Sequence, residues 1–266
     1  MPLPRPRPGS AALVTGASSG VGVAVARKLA AGGHNVVLLA RRADRLAALA
    51  EELSAQYGIR AEITPCDLSE RESRSAALNA IEEFGVEIDI FASCAGFGMT
   101  GPFHEHAGPQ AVRMVATNLE AVVEITGAVL PDMVRRRRGA VLLVSSLAGA
   151  GPVPGFAAYS ATKAAVTSFG EALHAEVRDH GVEVTVMCPG PIDTEFGAVA
   201  DLDDVINRTP GFLTATADGC AAVGLDGLNS GRRVVIPKPA VRLLGVVGAY
   251  LPHRIGLPMW RRIFAV

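Results

Sequence analysis

Short runs of apolar residues alternate with longer amphipathic stretches along most of the chain. Such runs are typical of strands that are buried on both faces of a parallel sheet. They lie near residues 11–15, 35–40, 60–65, 88–93, 140–145, 182–188 and 233–236. The stretches between them predict helices, with long ones around 109–136 and 157–180. This alternation predicts an α/β fold in which a seven-stranded parallel sheet carries helices on both faces.

Length and composition agree with one folded domain over residues 1–266. A single α/β domain often exceeds about 200 residues. Hydrophobic residues make up 49% of the chain and charged residues 19%, which excludes a disordered protein. The net charge of −1 and the aromatic content of 5% give no basis for nucleic-acid binding, so we expect no nucleic-acid partner.

The cysteines and histidines do not predict a metal site. Cys66, Cys94, Cys188 and Cys220 are far apart and form no Cys-x-x-Cys pair, which fits a reducing compartment. Two histidines flank a glutamate in 103–106, but a third ligand and the helical spacing of a zinc enzyme are missing. We therefore expect a cytoplasmic protein without a metal.

Two basic segments are interpreted as structural. Residues 1–9 are rich in Pro and Arg and lack the apolar core of a signal peptide, so we predict a flexible arm. The four arginines of 135–138 complement the dipole at the end of a predicted helix. We interpret them as a solvated helix end and not as a nucleic-acid patch.

A glycine-rich turn follows the first predicted strand. The sequence Thr15-Gly16-x-x-x-Gly20-x-Gly22 stands between that strand and the helical run 23–30. Glycines let the backbone turn tightly, and the free N–H groups and dipole of a helix start favour a negative charge. Although the spacing differs from G-x-G-x-x-G, the order of strand, glycines and helix predicts a site for a pyrophosphate.

Tyr159 and Lys163 are the candidate catalytic pair. In a helix this spacing puts the phenol and the ammonium on one face, where the cation would lower the pKa of the phenol. The phenol would then act as a general acid closer to neutral pH. Ser146 follows the predicted strand 140–145, and ligands of open α/β sheets bind beyond the carboxyl ends of strands. Ser146 is therefore placed to meet a substrate carbonyl.

In these motifs the chain resembles the short-chain dehydrogenase/reductase family, from about Ser10 to about Ile236. The matching motifs, in the family's order, are Thr15-Gly16-x-x-x-Gly20-x-Gly22, Asp67-Leu68, Ala95-Gly96, Asn118, Ser146, Tyr159-x-x-x-Lys163 and Pro189-Gly190-Pro191-Ile192-x-Thr194. The resemblance implies a three-layer Rossmann fold and an enzyme that uses a nicotinamide cofactor.

The resemblance also implies catalytic roles. Tyr159 would protonate the carbonyl oxygen, and Ser146 would orient the carbonyl. Lys163 would lower the pKa of Tyr159 and hold the nicotinamide ribose. Asn118 would interrupt a helix locally and hold a water that links Lys163 to solvent.

At the cofactor, the resemblance implies that Asp67 contacts the adenine and Thr194 the nicotinamide carboxamide. The full expected set is Thr15, Gly16, Ser18, Ser19, Gly20, Val21, Gly22, Arg41, Arg42, Asp67, Leu68, Cys94, Ala95, Gly96, Tyr159, Lys163, Pro189, Gly190, Ile192 and Thr194. One departure from the family concerns Ser93 and Cys94, which stand where most members have two asparagines. We expect this change to alter local stability or cofactor affinity and not to abolish activity.

The charge after the second strand predicts the form of the cofactor. Enzymes that use NAD usually have an acidic residue there, whereas this chain has Ala40 followed by Arg41 and Arg42. A guanidinium can bind a 2′-phosphate in a bidentate, charge-assisted way. We therefore predict NADP(H). We interpret Arg45 as part of a solvated helix start. The same role is the alternative for Arg42.

Substrate choice in this family depends on the segment after Thr194 and on the C-terminus, and both are apolar here. We predict a substrate lid over 195–213 and an apolar C-terminal extension over 238–266. The extension could cap the active site, form a subunit interface or lie on a bilayer surface as a peripheral contact. The long helices around 109–136 and 157–180 form dimer seams in many relatives, so a homodimer or homotetramer is expected.

An apolar lid predicts a hydrophobic ketone, and a 3-oxoacyl or related lipid is the leading hypothesis. The two termini are more weakly similar to actinobacterial reductases of 3-oxo-mycolate precursors. A broad-specificity carbonyl or hydroxysteroid reductase is the alternative. A third hypothesis is a sensor or scaffold that binds NADP without turnover.

Overall fold

The predicted strands form one parallel sheet in the computed structural model, which describes residues 3–105, 108–200, 209–243 and 253–263. The strands are β1 (Ser10–Thr15), β2 (Asn35–Ala40), β3 (Ala61–Pro65), β4 (Glu87–Ser93), β5 (Gly139–Val144), β6 (Val182–Met187), β7 (Ile192–Asp193), β8 (Ala215–Thr216) and β9 (Val234–Val235). The sheet order is β3-β2-β1-β4-β5-β6-β9, while β7 and β8 pair separately. The seven-stranded parallel sheet is therefore confirmed.

Helices cover both faces of this sheet. They are α1 (Gly20–Ala31), α2 (Ala43–Tyr57), α3 (Arg71–Glu83), α4 (Gly108–Val115), α5 (Ala121–Arg136), α6 (Ala157–Val177), α7 (Phe196–Val199), α8 (Ala217–Asn229) and α9 (His253–Ile263). A π-helical turn, Ala116–Glu120, joins α4 to α5. The long helix predicted around 109–136 is thus interrupted at Asn118.

The core lies in two layers, one on each side of the sheet. Ala12 and Val14 of β1 belong to the layer that contains Leu29 of α1. Leu13, between them, belongs to the other layer, together with Ile125 of α5. Because successive side chains of a strand point to opposite faces, an apolar strand such as β1 is buried on both sides. This arrangement confirms the three-layer α/β fold.

The α4–α5 segment is long and apolar enough, by length and composition alone, to cross a membrane. In this fold it packs against α3 through a buried guanidinium. The side chain of Arg74 is 1% exposed and forms ion pairs with Glu120 and Glu124 on this segment. We therefore assign the segment to the folded domain.

The N-terminal segment, which the sequence predicts as a flexible arm, contacts the rest of the domain over its described part, residues 3–9. The amide of Leu3 donates to Asn229 Oδ1 at 3.1 Å. The guanidinium of Arg7 binds the buried carboxylate of Asp89, with Nε and Oδ2 3.2 Å apart. A buried carboxylate needs such partners, because an unpaired charge in the interior is costly.

The arginine run 135–138 is also only partly a solvated helix end. Arg138 Nε lies 2.9 Å from Asp89 Oδ2, and Arg136 Nη2 donates to the carbonyl of Ile88 at 3.0 Å. Burial opposes ionisation of Asp89, but the hydrogen bonds from Arg7 and Arg138 outweigh it and lower its pKa. The run therefore helps to anchor the N-terminal segment.

Candidate active site

The predicted site motifs meet at one edge of the sheet. Thr15 ends β1 and Ser93 ends β4. Ser146 lies two positions after the end of β5, and Cys188 directly follows β6. Because these strands are parallel and adjacent, their carboxyl ends face the same side. β1 and β4 are neighbours although two strands separate them in the chain, and such a switch point opens a crevice for ligands.

The turn between β1 and α1 requires glycine at two positions. Gly16 has a φ of 69°, and a Cβ there would lie 2.9 Å from the Cα of Ala95. A Cβ on Gly22 would overlap the carbonyl oxygen of Gly16. α1 begins at Gly20, and the side chain of Ser19 makes no capping hydrogen bond, so the first N–H groups of α1 are left for a ligand. This cradle fits the pyrophosphate of a dinucleotide.

Thr15 ties the ends of β1 and β4 together at the departure from the family pattern. Its hydroxyl oxygen accepts hydrogen bonds from the amides of Cys94 at 3.1 Å and Ala95 at 3.2 Å. These bonds fix the backbone before Gly96 although the two family asparagines are absent. Burial raises the pKa of the Cys94 thiol to about 12, so it stays protonated.

The phenol of Tyr159 is buried in an aromatic environment. Its ring lies between Phe156, at a centroid distance of 5.8 Å, and Phe196, at 5.6 Å. Ser146 lies near enough to the phenol to oppose the effect of burial on its pKa, and Ser146 Oγ is held by the amide of Ala148 at 3.2 Å. The structure therefore brings the predicted acid and the predicted carbonyl-orienting hydroxyl together.

The pKa of Tyr159 departs from the expectation. Burial raises it to about 12, and the opposing hydrogen bond from Ser146 is the weaker effect. Lys163 does not bring the pKa below its ordinary value, because its Nζ donates to the carbonyl of Val144 at 2.9 Å and lies 5.8 Å from the centre of the ring. At neutral pH the phenol is therefore a protonated donor.

Lys163 is itself buried, and burial lowers its pKa to about 8. It lies beside Asn118, since a Cβ on Gly96 would be 3.2 Å from both Lys163 Nζ and Asn118 Oδ1. A side chain at position 96 would crowd both groups where the backbone passes.

Asn118 lies in the π-helical turn and is fully buried. Its Oδ1 accepts from the amide of Phe97 at 3.0 Å, and its Nδ2 donates to the carbonyl of Phe97 at 2.9 Å. The turn thus aims the side chain at the cleft and fixes its orientation. The water relay through Asn118 stays a prediction.

A cluster of charges lies beside the glycine turn. Arg42 donates to Ser18 Oγ from both Nε and Nη2 at 3.2 Å. Arg45, which was expected to be solvated, contacts the carbonyl of Ser18 at 3.4 Å. Both guanidinium groups bind Glu195, at 2.9 Å from Arg42 and 2.7 Å from Arg45. Arg45, 45% exposed in the first turn of α2, is therefore solvated at the helix start and also paired with Glu195.

Arg41 lies near Asp67, the residue that is expected to contact the adenine. Asp67 accepts two hydrogen bonds from Ser69, at 2.9 Å and 2.7 Å, and its Oδ2 pairs with Arg113 at 3.2 Å. Burial raises the pKa of Asp67, but the bonds from Ser69 and the charges of Arg41 and Arg113 lower it overall. Contact between Asp67 and an adenine stays a prediction.

The Pro-Gly-Pro motif crosses the crevice opposite the glycine turn. Thr194 faces that turn, because a Cβ on Gly20 would lie 3.4 Å from Thr194 Cγ2. Its Oγ1 accepts from the amide of Phe196 at 3.3 Å. The carbonyl of Pro189 accepts from the amide of Leu147 at 2.8 Å, which joins this motif to the segment after Ser146.

The start of the expected lid, α7, packs over Tyr159. Phe196 contacts Tyr159, and a Cβ on Gly98 would lie 2.9 Å from Phe196 Cζ. The small apolar cluster around the phenol consists of Phe97, Met99, Ala111, Met114, Ala148, Val153, Phe156, Ala158, Phe196 and Ala200. Phe212, later in the lid, is 66% exposed. Leu202, Val205 and Ile206, and much of the C-terminal extension, lie outside the described residues.

Reasoning from the sequence missed Arg45, Arg113 and Glu195. Glu195 directly follows the Pro-Gly-Pro-Ile-x-Thr motif, and Arg45 is in the first turn of α2. The only signal in the sequence that could have identified Glu195 was its position next to a motif. Its contacts with the arginines join residues that are distant in sequence.

Fold and site together define an α/β nucleotide-binding domain, with buried Tyr159, Lys163 and Asn118 and a partly buried Ser146 at its crevice. Comparison with known families matches residues 10–204 to the short chain dehydrogenase model. The chain belongs to the short-chain dehydrogenase/reductase family. It is an oxidoreductase of the class that interconverts CH–OH and C=O groups.

Individual relatives agree with this membership. A very-long-chain 3-oxoacyl-CoA reductase of Anas platyrhynchos is 32% identical over 250 residues, 92% of this chain and 76% of that protein. A short chain dehydrogenase of Pseudocercospora fijiensis is 36% identical over 75% of this chain, which spans only 64% of that relative. A short-chain dehydrogenase from Sphingobium yanoikuyae, solved in complex with NADPH, is 30% identical with a TM-score of 0.81, covering 90% of this chain and 93% of that one.

Proposed function

We propose that this protein is an NADPH-dependent reductase of a hydrophobic ketone, and that the substrate is a 3-oxoacyl or related lipid. The observation that carries the proposal is the buried, protonated phenol of Tyr159. It lies near Ser146 and within the apolar cluster that includes Phe196 of α7. A proton donor of this kind serves reduction, in which a carbonyl oxygen becomes a hydroxyl.

The residues at the crevice fit a nicotinamide dinucleotide. The glycine turn before α1 would hold the pyrophosphate, Lys163 the nicotinamide ribose and Thr194 the carboxamide. The positive charge after β2 supports the 2′-phosphorylated form, NADP(H). The relative from Sphingobium yanoikuyae that binds NADPH supports the same form. When bound, this cofactor supplies the hydride that reduces the carbonyl carbon.

The side chains of the chain supply the proton and the orientation. Ser146 and Tyr159 would both donate hydrogen bonds to the carbonyl oxygen, and their fixed positions stabilise the negative charge that develops there. Tyr159 then transfers its proton to that oxygen, which in the alkoxide form is a stronger base than a phenolate. The phenolate that remains would regain a proton through Lys163 and the water expected at Asn118.

The surroundings of Tyr159 support an apolar substrate. Phe156 and Phe196 flank the phenol, and Met99 and Met114 complete the same cluster. The 3-oxoacyl-CoA reductase of Anas platyrhynchos supports an acyl chain as the occupant. Methionine adapts to many ligand shapes, which favours broad carbonyl or hydroxysteroid reduction as the second candidate. Non-catalytic binding of NADP is less favoured, since Ser146, Tyr159 and Lys163 are in place.

The protein is assigned to the cytoplasm. Its C-terminal extension is a candidate for peripheral contact with a bilayer, because α9 carries exposed arginines at 254, 261 and 262. Arginines beside an apolar sequence are typical of helices that lie on membranes.

Oxidation of NADPH with a panel of ketones tests the proposed function. The panel contains 3-oxoacyl thioesters of increasing chain length and bulky aromatic or steroidal ketones. We expect kcat/KM to rise with acyl length, because each buried CH₂ contributes about 0.8 kcal/mol. A preference for bulky ketones would favour the second candidate, and no oxidation with any ketone would contradict the proposal.

A further inference from the structure

One carboxylate bridges the two arginines beside the glycine turn. Glu195 Oε2 lies 2.9 Å from Arg42 Nη1, and Glu195 Oε1 lies 2.7 Å from Arg45 Nη1. Both arginines also contact Ser18 of the turn. Two guanidinium groups that converge on one carboxylate can bind a phosphate in the same manner.

The ion pairs of Glu195 are exposed. Its side chain is 50% exposed, and those of Arg42 and Arg45 are 38% and 45% exposed. Exposed ion pairs contribute little stability. A phosphate dianion, with more charge and more acceptor oxygens than a carboxylate, can therefore displace Glu195 from the arginines.

Displacement of Glu195 would change the active site, because the backbone links Glu195 directly to a residue that contacts Tyr159. The next residue is Phe196, whose ring packs on Tyr159 at 5.6 Å. The carbonyl of Glu195 accepts from the amide of Val199 at 3.1 Å, within α7. Glu195 is thus the point at which the arginines hold the start of the lid.

We propose that Glu195 is an internal competitor for the 2′-phosphate of the cofactor at Arg42 and Arg45. Binding of the phosphate frees Glu195 and loosens α7 over Tyr159, whereas a dinucleotide that lacks this phosphate leaves both in place. Glu195 then lowers the affinity of the protein for the cofactor. It also makes the position of α7 depend on whether the cofactor is bound. The inference rests on the proposed NADP(H) site and adds Arg45 and Glu195 to it.

Calorimetric titration with 2′,5′-ADP and with 5′-AMP tests the competition without turnover. Glu195→Gln removes the competing charge, and Glu51→Gln removes the same charge from the exposed face of α2 as a matched control. We expect Glu195→Gln to bind 2′,5′-ADP about three- to tenfold more tightly, the size expected for two exposed ion pairs. Its affinity for 5′-AMP, and both affinities of Glu51→Gln, stay at the wild-type values.

The outcomes separate the inference from the proposed function. If wild type prefers 2′,5′-ADP to 5′-AMP but Glu195→Gln binds 2′,5′-ADP no more tightly than wild type, only the competition is overturned. If neither protein prefers 2′,5′-ADP, the NADP(H) site is wrong and the inference fails with it.

Hydrogen exchange of the segment 194–200 tests the link to the lid. We expect 2′,5′-ADP, but not 5′-AMP, to speed exchange of the α7 amides in the wild-type protein. In Glu195→Gln these amides exchange faster already, with no further response to 2′,5′-ADP. Equal exchange with the two nucleotides in the wild-type protein would overturn the link.

Discussion

The side chains of Tyr159 and Lys163 show how burial sets the chemistry of single residues. Burial raises the pKa of Tyr159 to about 12 and lowers that of Lys163 to about 8. Both shifts favour the neutral form, because desolvation disfavours charge. A protonated phenol suits reduction, and a lysine with a lowered pKa can release a proton as the ammonium and accept one as the amine near pH 8.

Replacing Lys163 by Met tests this burial through stability. An unfolded chain holds the Lys163 proton up to about pH 10.4, whereas the folded chain releases it near pH 8. Between these values the unfolded state binds more protons, so the contribution of Lys163 to the free energy of unfolding rises with pH. We expect the stability of Lys163→Met relative to wild type to fall by about 2 kcal/mol from pH 7 to pH 10.

Urea unfolding at several pH values measures this difference, and groups common to both proteins cancel from it. A difference that does not change with pH would mean that Lys163 titrates normally in the folded protein.

At the scale of elements, the π-helical turn depends on α3. Arg74 of α3 donates to the carbonyl of Leu68 at 2.9 Å and forms ion pairs with Glu120 and Glu124, which flank the end of the turn. Asn118 lies in this same turn. One guanidinium therefore connects the loop after β3 to the turn that positions Asn118.

Replacing Arg74 by Met should cost stability and shift Asn118. Removing one partner of a buried ion pair typically costs about 3–5 kcal/mol, and the partial exposure of both carboxylates lowers our expectation to about 2 kcal/mol. Urea unfolding measures the loss, with Arg71→Met on the exposed face of α3 as the control. Equal stability of the two variants would contradict this role.

The order of the elements could be predicted from the sequence because the apolar runs are local signals. The glycine turn and the Tyr159–Lys163 spacing are local as well. The ion pair of Arg45 with Glu195 joins residues 150 positions apart, and that of Arg7 with Asp89 joins residues 82 apart. No local pattern encodes such pairs. The direction in which the pKa of Tyr159 shifts depends on burial under Phe196. The spacing of residues within α6 does not reveal that burial.

At the scale of the whole molecule, α4 and α5 present an apolar surface. Val112 and Val115 of α4 are 68% and 42% exposed, and Val123 of α5 is 43% exposed. Exposed apolar side chains that share one surface are typical of subunit interfaces. A second copy of this chain is the expected partner.

Replacing apolar residues of this surface by charged ones should separate the subunits. We expect the wild-type protein to have the mass of a dimer or tetramer, and the double substitution Val112→Asp and Val123→Asp to give a monomer, because a carboxylate buried at the seam would be unpaired. Light scattering after size exclusion measures the mass. Phe212→Asp, which changes an equally exposed apolar residue elsewhere, should leave it unchanged. A wild-type monomer would exclude the interface.

The central claim is that Tyr159 donates the proton in a reductase, and the kcat of NADPH oxidation in Tyr159→Phe tests it most directly. Tyr57→Phe, the same change at a half-buried tyrosine at the end of α2, is the matched control. We expect Tyr159→Phe to lower kcat about 10²–10⁴-fold, and Tyr57→Phe to keep the wild-type rate. A Tyr159→Phe protein that reduces the ketone at the wild-type rate would contradict the account.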